Sequence, residues 1–477
     1  MTLFPSAYVA DMVLSELEDI VGQEYVSTRE VDRLAYGVDY CWIPRVWFDR
    51  GMKPIAPDVI VRPKNTEEVS AVIRVANRYE IPVVTWGGGS GSQGGALPIR
   101  QGITLDTKRM NQIVEVNETA LTVTAGTGII QQHLEWALNA RGYSMMHYPA
   151  SIACATLGGF LAHRGTGVLS TKYGKIEDMV VSMEVVLPNG DIIRTLPVPR
   201  HASGPDLNQL FIGSEGTLGV ITEATMKIHR PPEAQLFRAF MFKDLHSGLE
   251  AGRKLMAARL RPSALRLYDE PETKKQVRRV LGIEKEGCYL VYSFDGAKRI
   301  AEIEEEMARE ICAETATEDL GSEPGRKWWE HRYDFYYPPH MYDLPQMFGT
   351  MDTVATYDKI EQVYWAMKEA VETQFPGVTF IAHFSHWYDW GCMCYDRFIL
   401  DSPPEDPHEA LRLHNAIWNA GVRAAIANGG IINEHHGVGL KLARFMTEQY
   451  GSAFQVFEGI KKALDPRGIM NPGKLGL

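Results

Sequence analysis

Two stretches of this 477-residue chain are built for chemistry. Towards its end runs Asn433-Glu-His-His-Gly-Val-Gly-Leu-Lys. His435 and His436 stand side by side, next to Glu434, in a loop that follows a helix closed by Asn428-Gly429-Gly430. Imidazoles titrate near neutrality, so adjacent histidines in such a loop suit proton transfer. The other stretch is Trp86-Gly-Gly-Gly-Ser-Gly-Ser-Gln-Gly-Gly, six glycines in ten residues after an apolar Ile81-Pro-Val-Val run. Glycine lets the backbone take φ > 0 and approach a ligand closely, so clustered amides can form an anion-binding nest. A glycine run after a strand points to a diphosphate and hence to a nucleotide cofactor; a flexible hairpin is the alternative. Gly87, Gly89 and Ser92 come close to Gly-x-Gly-x-x-Gly. No amphipathic helix follows them, however, which argues against a Rossmann unit.

Elements on either side must hold these stretches. Residues 1–53 read as a helical lead-in, with Val13, Leu14, Leu17 and Ile20 at helical spacing. An α/β pattern follows over 54–232. Asp58-Val-Ile-Val is a strand, Asn65 and Thr66 can cap a helix with Val69, Val72, Ile73 and Ala76 on one face, and Ile81 to Thr85 is the next strand. Ile103-Thr-Leu-Asp, Leu121-Thr-Val-Thr-Ala, 180–187 and 219–228 read as further strands, and Pro188-Asn-Gly-Asp carries hairpin turn chemistry. Pro231-Pro232 marks a boundary. Over 233–430 strands alternate with longer amphipathic helices, one with Ile300, Ile303, Met307 and Ile311 on one face, which predicts an α+β domain with an antiparallel sheet. Residues 431–477 return to the site.

The composition is that of a globular protein, 45% hydrophobic and 23% charged. A formal net charge of −11 argues against nucleic acid or an anionic membrane as a broad partner. No apolar run reaches membrane-spanning length and Met1-Thr-Leu-Phe-Pro-Ser lacks signal-peptide character, so a cytoplasmic location is expected. Six cysteines in this length make no disulfide framework, and Cys392 and Cys394 read as small buried residues sharing one strand face.

Three further stretches give the glycine run a context. They are Pro149-Ala-Ser-Ile-Ala-Cys-Ala-Thr-Leu-Gly-Gly-Phe, His163-Arg-Gly-Thr-Gly with Lys172-Tyr-Gly-Lys-Ile-Glu-Asp, and Gly213-Ser-Glu-Gly-Thr-Leu-Gly-Val-Ile-Thr. In this order they resemble the FAD-binding domain of the p-cresol methylhydroxylase/vanillyl-alcohol oxidase superfamily. Within it, the chain is most similar to the alkyldihydroxyacetonephosphate synthases and the glycolate/D-lactate dehydrogenase branch. The resemblance implies an α+β architecture: a two-part FAD-binding domain of the vanillyl-alcohol oxidase type and an α+β cap domain with an antiparallel sheet. It implies FAD contacts at Thr85, Trp86, Gly87, Gly88, Gly89, Ser90, Gly91 and Ser92, and at Pro149, Ser151, Thr156, Gly158 and Gly159. His163, Arg164, Gly165 and Thr166, then Glu215, Gly219, Val220 and Ile221, complete the set. The glycine loop lacks the histidine that covalent relatives carry there, so non-covalent FAD is expected.

In the synthases three histidines occupy the place of Glu434, His435 and His436; in the dehydrogenase branch the pattern is Glu-His-Gly. His436 fits both. Tyr395 matches the synthases' acid/base tyrosine, and Arg266 an active-site arginine able to hold a carboxylate or phosphate. A second, phosphate-binding arginine has no counterpart in the aromatic segment 328–342, which reads as part of a substrate wall. His383 and His386 lie three apart on a strand, which predicts opposite faces and no metal site. The expected function is therefore FAD-dependent oxidation of a CH–OH group on a hydroxy acid or aromatic alcohol. His436, His435 or Tyr395 takes the hydroxyl proton, the substrate is a small molecule, and a homodimer is possible. A synthase-like ether-forming reaction through a flavin adduct is the alternative.

Overall fold

The computed structural model describes residues 11–336 and 344–477, arranged as three sheets with flanking helices. The first sheet runs Val26–Ser27, Val59–Val61, Ile103–Asp106, Val83–Trp86, with the last three strands mutually parallel. Helix Thr66–Tyr79 makes the crossover between two of them. Asn65 caps it by accepting from the Glu68 amide at 2.9 Å, and Val69, Val72, Ile73 and Ala76 are fully buried. Each such side chain contributes about 1.5–3 kcal/mol by leaving water. The second sheet is antiparallel: Ile113–Asn117, Thr122–Gly126, Val220–Lys227, Val180–Val186, Ile192–Arg194. Its last pair is the hairpin predicted at Pro188-Asn-Gly-Asp, with Gly190 at φ 87°.

The third sheet has eight antiparallel strands and fills the second half of the chain. Its centre is Cys288–Gly296, Ala264–Tyr268, Thr379–Trp387 and Gly391–Leu400, flanked by Met347–Thr350 and Thr353–Thr356. Cys392 and Cys394 are fully buried on the core face, as read from their spacing, while Tyr395 turns to the other side. The helix around Ile300 forms over Lys298–Ala313 but presents its large apolar residues to solvent. Ile300 is 60% exposed, and the sheet-facing positions are Ala301, Ala308 and Cys312. Small residues there let the helix lie close to Cys288–Gly296, whose own side chains already fill the layer.

The chain's end closes on its beginning. Met470 bridges Val83 in parallel, and Asn471 donates its amide to the Val83 carbonyl at 2.8 Å. The lead-in contributes helices Glu30–Ala35 and Trp42–Asp49, the latter against Met347–Thr350. Among the described residues no helix is long and apolar enough to cross a membrane.

Candidate functional site

The glycine run leaves Val83–Trp86 and crosses to Ile103–Asp106 as a loop, with no helix after it. It lies hard against the 149–159 segment. A Cβ on Gly88 would sit 2.1 Å from the Cys154 carbonyl oxygen, and one on Gly87 2.3 Å from Thr156 Oγ1. Only glycine permits that approach. Two connected cavities flank the loop. The smaller, about 130 Å³, is lined by Thr85, Gly87 to Gly91, Thr156, Gly158, Gly159, Glu215, Gly219, Val220 and Ile221. The larger, about 760 Å³, takes Ser90, Gly91, Ser92, Pro149, Ser151, Gly165 and Thr166 on one side. His163 and His436 face both. Thr85 Oγ1 and Thr166 Oγ1 are buried without a partner, as hydroxyls awaiting a ligand would be.

Two expected cofactor contacts lie elsewhere. Trp86 packs behind the loop, 5.0 Å ring to ring from Tyr36, because Gly89 leaves room for its indole. Arg164, in the left-handed region at φ 58°, turns outward to Glu177 and the Gln209 carbonyl. Glu215 belongs to the architecture as well as the lining. Its carboxylate accepts the Val438 amide at 2.5 Å and the Gly439 amide at 2.8 Å, docking the histidine loop onto the cradle. Burial pushes that carboxyl up to about 7, with the two amides opposing.

The opposite wall of the large cavity comes from the third sheet: Arg266, His383, Ser385, His386 and Tyr395, joined by Tyr336, Thr350, His435 and His436. Sequence spacing put His383 and His386 on opposite faces; they share the cavity. The Thr379–Trp387 strand carries an extra residue between Phe384 and Trp387 relative to its partner, so Phe384 and Trp387 both enter the core and His383, Ser385 and His386 the cavity. A one-residue bulge re-aims side chains in this way. Arg266 is 6% exposed, and its Nη1 donates to the Tyr336 hydroxyl at 2.7 Å. The aromatic segment thus reaches the cavity at Tyr336, while its residues 337–342 lie outside those described. A second arginine does line the same cavity: Arg45, from the lead-in helix, beside Val31, Leu34, Val38 and Phe48.

Behind the histidines lie two acidic groups, Glu434, read from the sequence as a catalytic candidate, and Asp352, which the sequence reading missed. Asp352, fully buried between two strands, accepts the Glu434 and His435 amides at 2.9 and 3.0 Å and lies 2.7 Å from His436 Nδ1. Glu434 itself does not line the cavity. It sits behind it, 3.0 Å from His386 Nδ1, 3.0 Å from Lys175 Nζ and in hydrogen bond with Tyr388. Burial opposes its charge, but His386 and Lys175 hold it well below the usual carboxylate range. His435 is half-buried, which works against its charge, yet Asp352 first and Glu434 after it raise its pKa to about 9, so it is an imidazolium at neutral pH. His163, His383 and His386 go the other way, each pushed down to about 4 by burial, and burial also lowers His436. Burial raises the Tyr395 phenol above its ordinary value, keeping it protonated. His435 and Tyr395 can therefore donate; neither is a base near neutral pH.

His386, Glu434 and His435 bring their ligand atoms within 4.8 Å of one another, as do Asp352, His435 and His436. The one sequence signal for Asp352 was an acidic residue between the apolar runs 347–350 and 353–356.

The FAD binding domain family matches residues 57–196, and the family described as FAD linked oxidases, C-terminal domain, matches residues 231–475. The chain is 31% identical to the Uncharacterized FAD-linked oxidoreductase YgcU of Escherichia coli (strain K12), covering 97% of this chain and 98% of that protein. It is 30% identical to the alkyldihydroxyacetonephosphate synthase of Dictyostelium discoideum (88% and 73% covered) and 27% identical to the probable mitochondrial D-lactate dehydrogenase of Danio rerio (98% and 92%). A solved alkyldihydroxyacetonephosphate synthase superposes with a TM-score of 0.79 at 27% identity, covering 98% of this chain and 85% of that one. Substrate-bound p-cresol methylhydroxylase superposes with 0.80 at 17% identity, covering 98% and 96%, which shows the shared fold.

Proposed function

The chain belongs to the FAD-linked oxidoreductases, and from that premise we propose that it oxidises the CH–OH carbon of a hydroxy acid, with FAD held non-covalently. The cradle fits this cofactor: Gly87, Gly88 and Gly89 leave no room for a Cβ, and the Thr85 and Thr166 hydroxyls are buried without a partner. FAD, when bound, supplies the acceptor for a hydride. Everything else falls to the protein. The observation that carries the reading is Arg266, a buried guanidinium on the same cavity wall as three neutral histidines, His383, His386 and His436, whose Nδ1 atoms are held by carboxylates.

A guanidinium so placed grips a substrate carboxylate with charge-assisted hydrogen bonds, each contributing about 1.5–3 kcal/mol. The neutral imidazoles offer acceptors for the hydroxyl proton, and His435 supplies a fixed positive charge within the same wall. The cluster needs no metal on this reading. Asp352 and Glu434 are balanced by the His435 imidazolium and the Lys175 ammonium, and a divalent cation would have to displace one of them. A synthase-type acyl exchange without net oxidation is the second reading. Arg45 favours it, as a second cation for a phosphate ester.

Anaerobic mixing with hydroxy acids and aromatic alcohols tests the choice. A hydroxy acid should bleach the flavin absorbance. No bleaching by any of them, together with acyl exchange on an acylated dihydroxyacetone phosphate, would replace the first reading by the second.

A further inference from the structure

The loop histidines are the obvious acid–base groups, yet the best-formed proton acceptor of the cavity stands on the sheet. His383 is 2% exposed, and its Nδ1 lies 3.1 and 3.3 Å from the two carboxylate oxygens of Glu272, which is itself 1% exposed. Glu272 is in turn ion-paired with Arg397. The other ring nitrogen, His383 Nε2, has no partner, although the residue lines the 760 Å³ cavity. A buried unpartnered nitrogen is costly unless something arrives to meet it. Because Glu272 accepts from Nδ1–H, the neutral ring must carry its lone pair on Nε2, the orientation a general base requires.

Register places this lone pair beside the anion-binding arginine. Tyr268 pairs with His383 and Leu267 with Phe384, which sets Arg266 opposite Ser385. His383 is then the diagonal neighbour of Arg266 on the same sheet face, a spacing of about 7–8 Å between backbones. A small molecule whose carboxylate met Arg266 would lie along the sheet face that also carries His383. Tyr395 stacks on His383 at 4.7 Å and 12°, fixing the ring plane. Of the other neutral histidines, His386 lies on the same wall against Glu434, and His436 lines both cavities and so faces the cofactor cradle as well.

We infer that His383, oriented by Glu272, is the catalytic base that takes the hydroxyl proton, with Glu272 as its positioning residue. The inference rests on the hydroxy-acid reading above. In the step, the O–H bond breaks and its proton goes to Nε2. The carbinol C–H bond breaks and its electron pair leaves with the hydrogen as hydride to the oxidant, FAD. The C–O bond becomes a carbonyl, and His383 is left as an imidazolium facing the Glu272 carboxylate. The groups around the ring are Glu272, which favours that cation, and Arg397, Arg266 and burial, which oppose it; Tyr268 and Tyr395 are neutral. The balance keeps the resting imidazole neutral.

The test uses the holoenzyme and three variants, His383→Asn, Glu272→Gln and His436→Asn, each first checked for flavin content and circular dichroism. Reduction of the wild type by a hydroxy acid establishes the reading on which the inference rests; its absence defeats that reading and with it the substrate, before any variant is compared. Given reduction, His383→Asn should slow anaerobic flavin bleaching at saturating substrate at least 100-fold and abolish the fall in rate towards acid pH. Affinity for the matching 2-oxo acid should stay within threefold. Glu272→Gln should keep the base but slow bleaching about tenfold and move the acid limb. A readout independent of turnover is nitrogen NMR of histidine-labelled protein: the resonance absent from His383→Asn should report an Nδ1–H tautomer and shift when a hydroxy acid binds. If His383→Asn bleaches at the wild-type rate with its acid limb intact while His436→Asn loses both, the base is His436 and the inference falls. If His383→Asn fails to retain flavin, His383→Gln and the NMR signal in the wild type decide; an Nε2–H tautomer would overturn the assignment.

Discussion

Removing the charge of Asp352 is the sharpest test of the site's electrostatics. Asp352 and Glu434 hold His435 at 3.2 and 2.8 Å, and against burial they raise its pKa from 6.5 to about 9. At about 1.4 kcal/mol per pKa unit, that corresponds to ~3 kcal/mol of stabilisation for the charged ring. The sign follows from linkage. A folded-state pKa above the unfolded one gives stability that is fully present below pH 6.5 and is lost as pH rises through about 9. Wild-type stability should therefore decline between pH 7 and 10 by up to ~3 kcal/mol, seen as a falling urea midpoint. Asp352→Asn should flatten that decline and lower His435 towards or below neutrality. Carbon NMR of histidine-labelled protein, with His435→Gln to assign the resonance, reads the pKa directly. A His435 resonance that titrates at or below 6.5 in the wild type would refute the argument, because the two carboxylates would then not outweigh burial.

Other perturbations probe separate parts of the site. Gly88→Ala places a methyl 2.1 Å from a backbone oxygen, so the purified protein should lose most of its flavin, read from the ratio of visible to ultraviolet absorbance. Arg266→Met should weaken binding of a 2-oxo or hydroxy carboxylate by roughly 10- to 100-fold at unchanged flavin content, measured by titrating the flavin spectrum. Lys175→Met leaves Glu434 without its ammonium and should cost about 3–5 kcal/mol, measured by denaturant unfolding. Exhaustive chelation followed by metal analysis should leave the anaerobic bleaching rate unchanged; a rate restored only by a divalent cation would show that Glu434 and the histidines serve as ligands.

The cradle was legible because glycine has few other uses in such a run. Gly87 and Gly88 are needed for approach, and the sequence writes that need directly. The histidine loop was legible for a similar reason. Its partners were not. Asp352 lies 84 residues from His436, and Glu272 lies 111 from His383. Asp352 lies between two strands, His436 in a loop and Glu272 in the helical turn Glu270–Glu272, so only the tertiary packing of these elements brings either pair together. The bulge before Trp387 leaves no mark in composition, so the alternation rule sent His386 to the wrong face. The exposed Ile300, Ile303 and Met307 show the converse: an amphipathic pattern names a face without naming which side the core lies on. Glu434 looked catalytic because of its neighbours, but the buried position of its side chain makes it the counter-ion behind them.

The pairing of Met470 with Val83 bears on how the protein is made. Asn471 also grips the Gly95 and Glu215 carbonyls, 376 and 256 residues back along the chain. Translation delivers the glycine loop long before this clasp, which lies 376 residues further along the chain. Without Met470 and Asn471 the strand beneath the loop lacks its edge partner, and the histidine loop docks separately on Glu215. Contacts of such sequence separation form slowly and leave apolar surface waiting. The cradle is therefore complete only when residues 470–471 have closed on the first sheet, so its two sides are fixed by segments almost the whole chain apart.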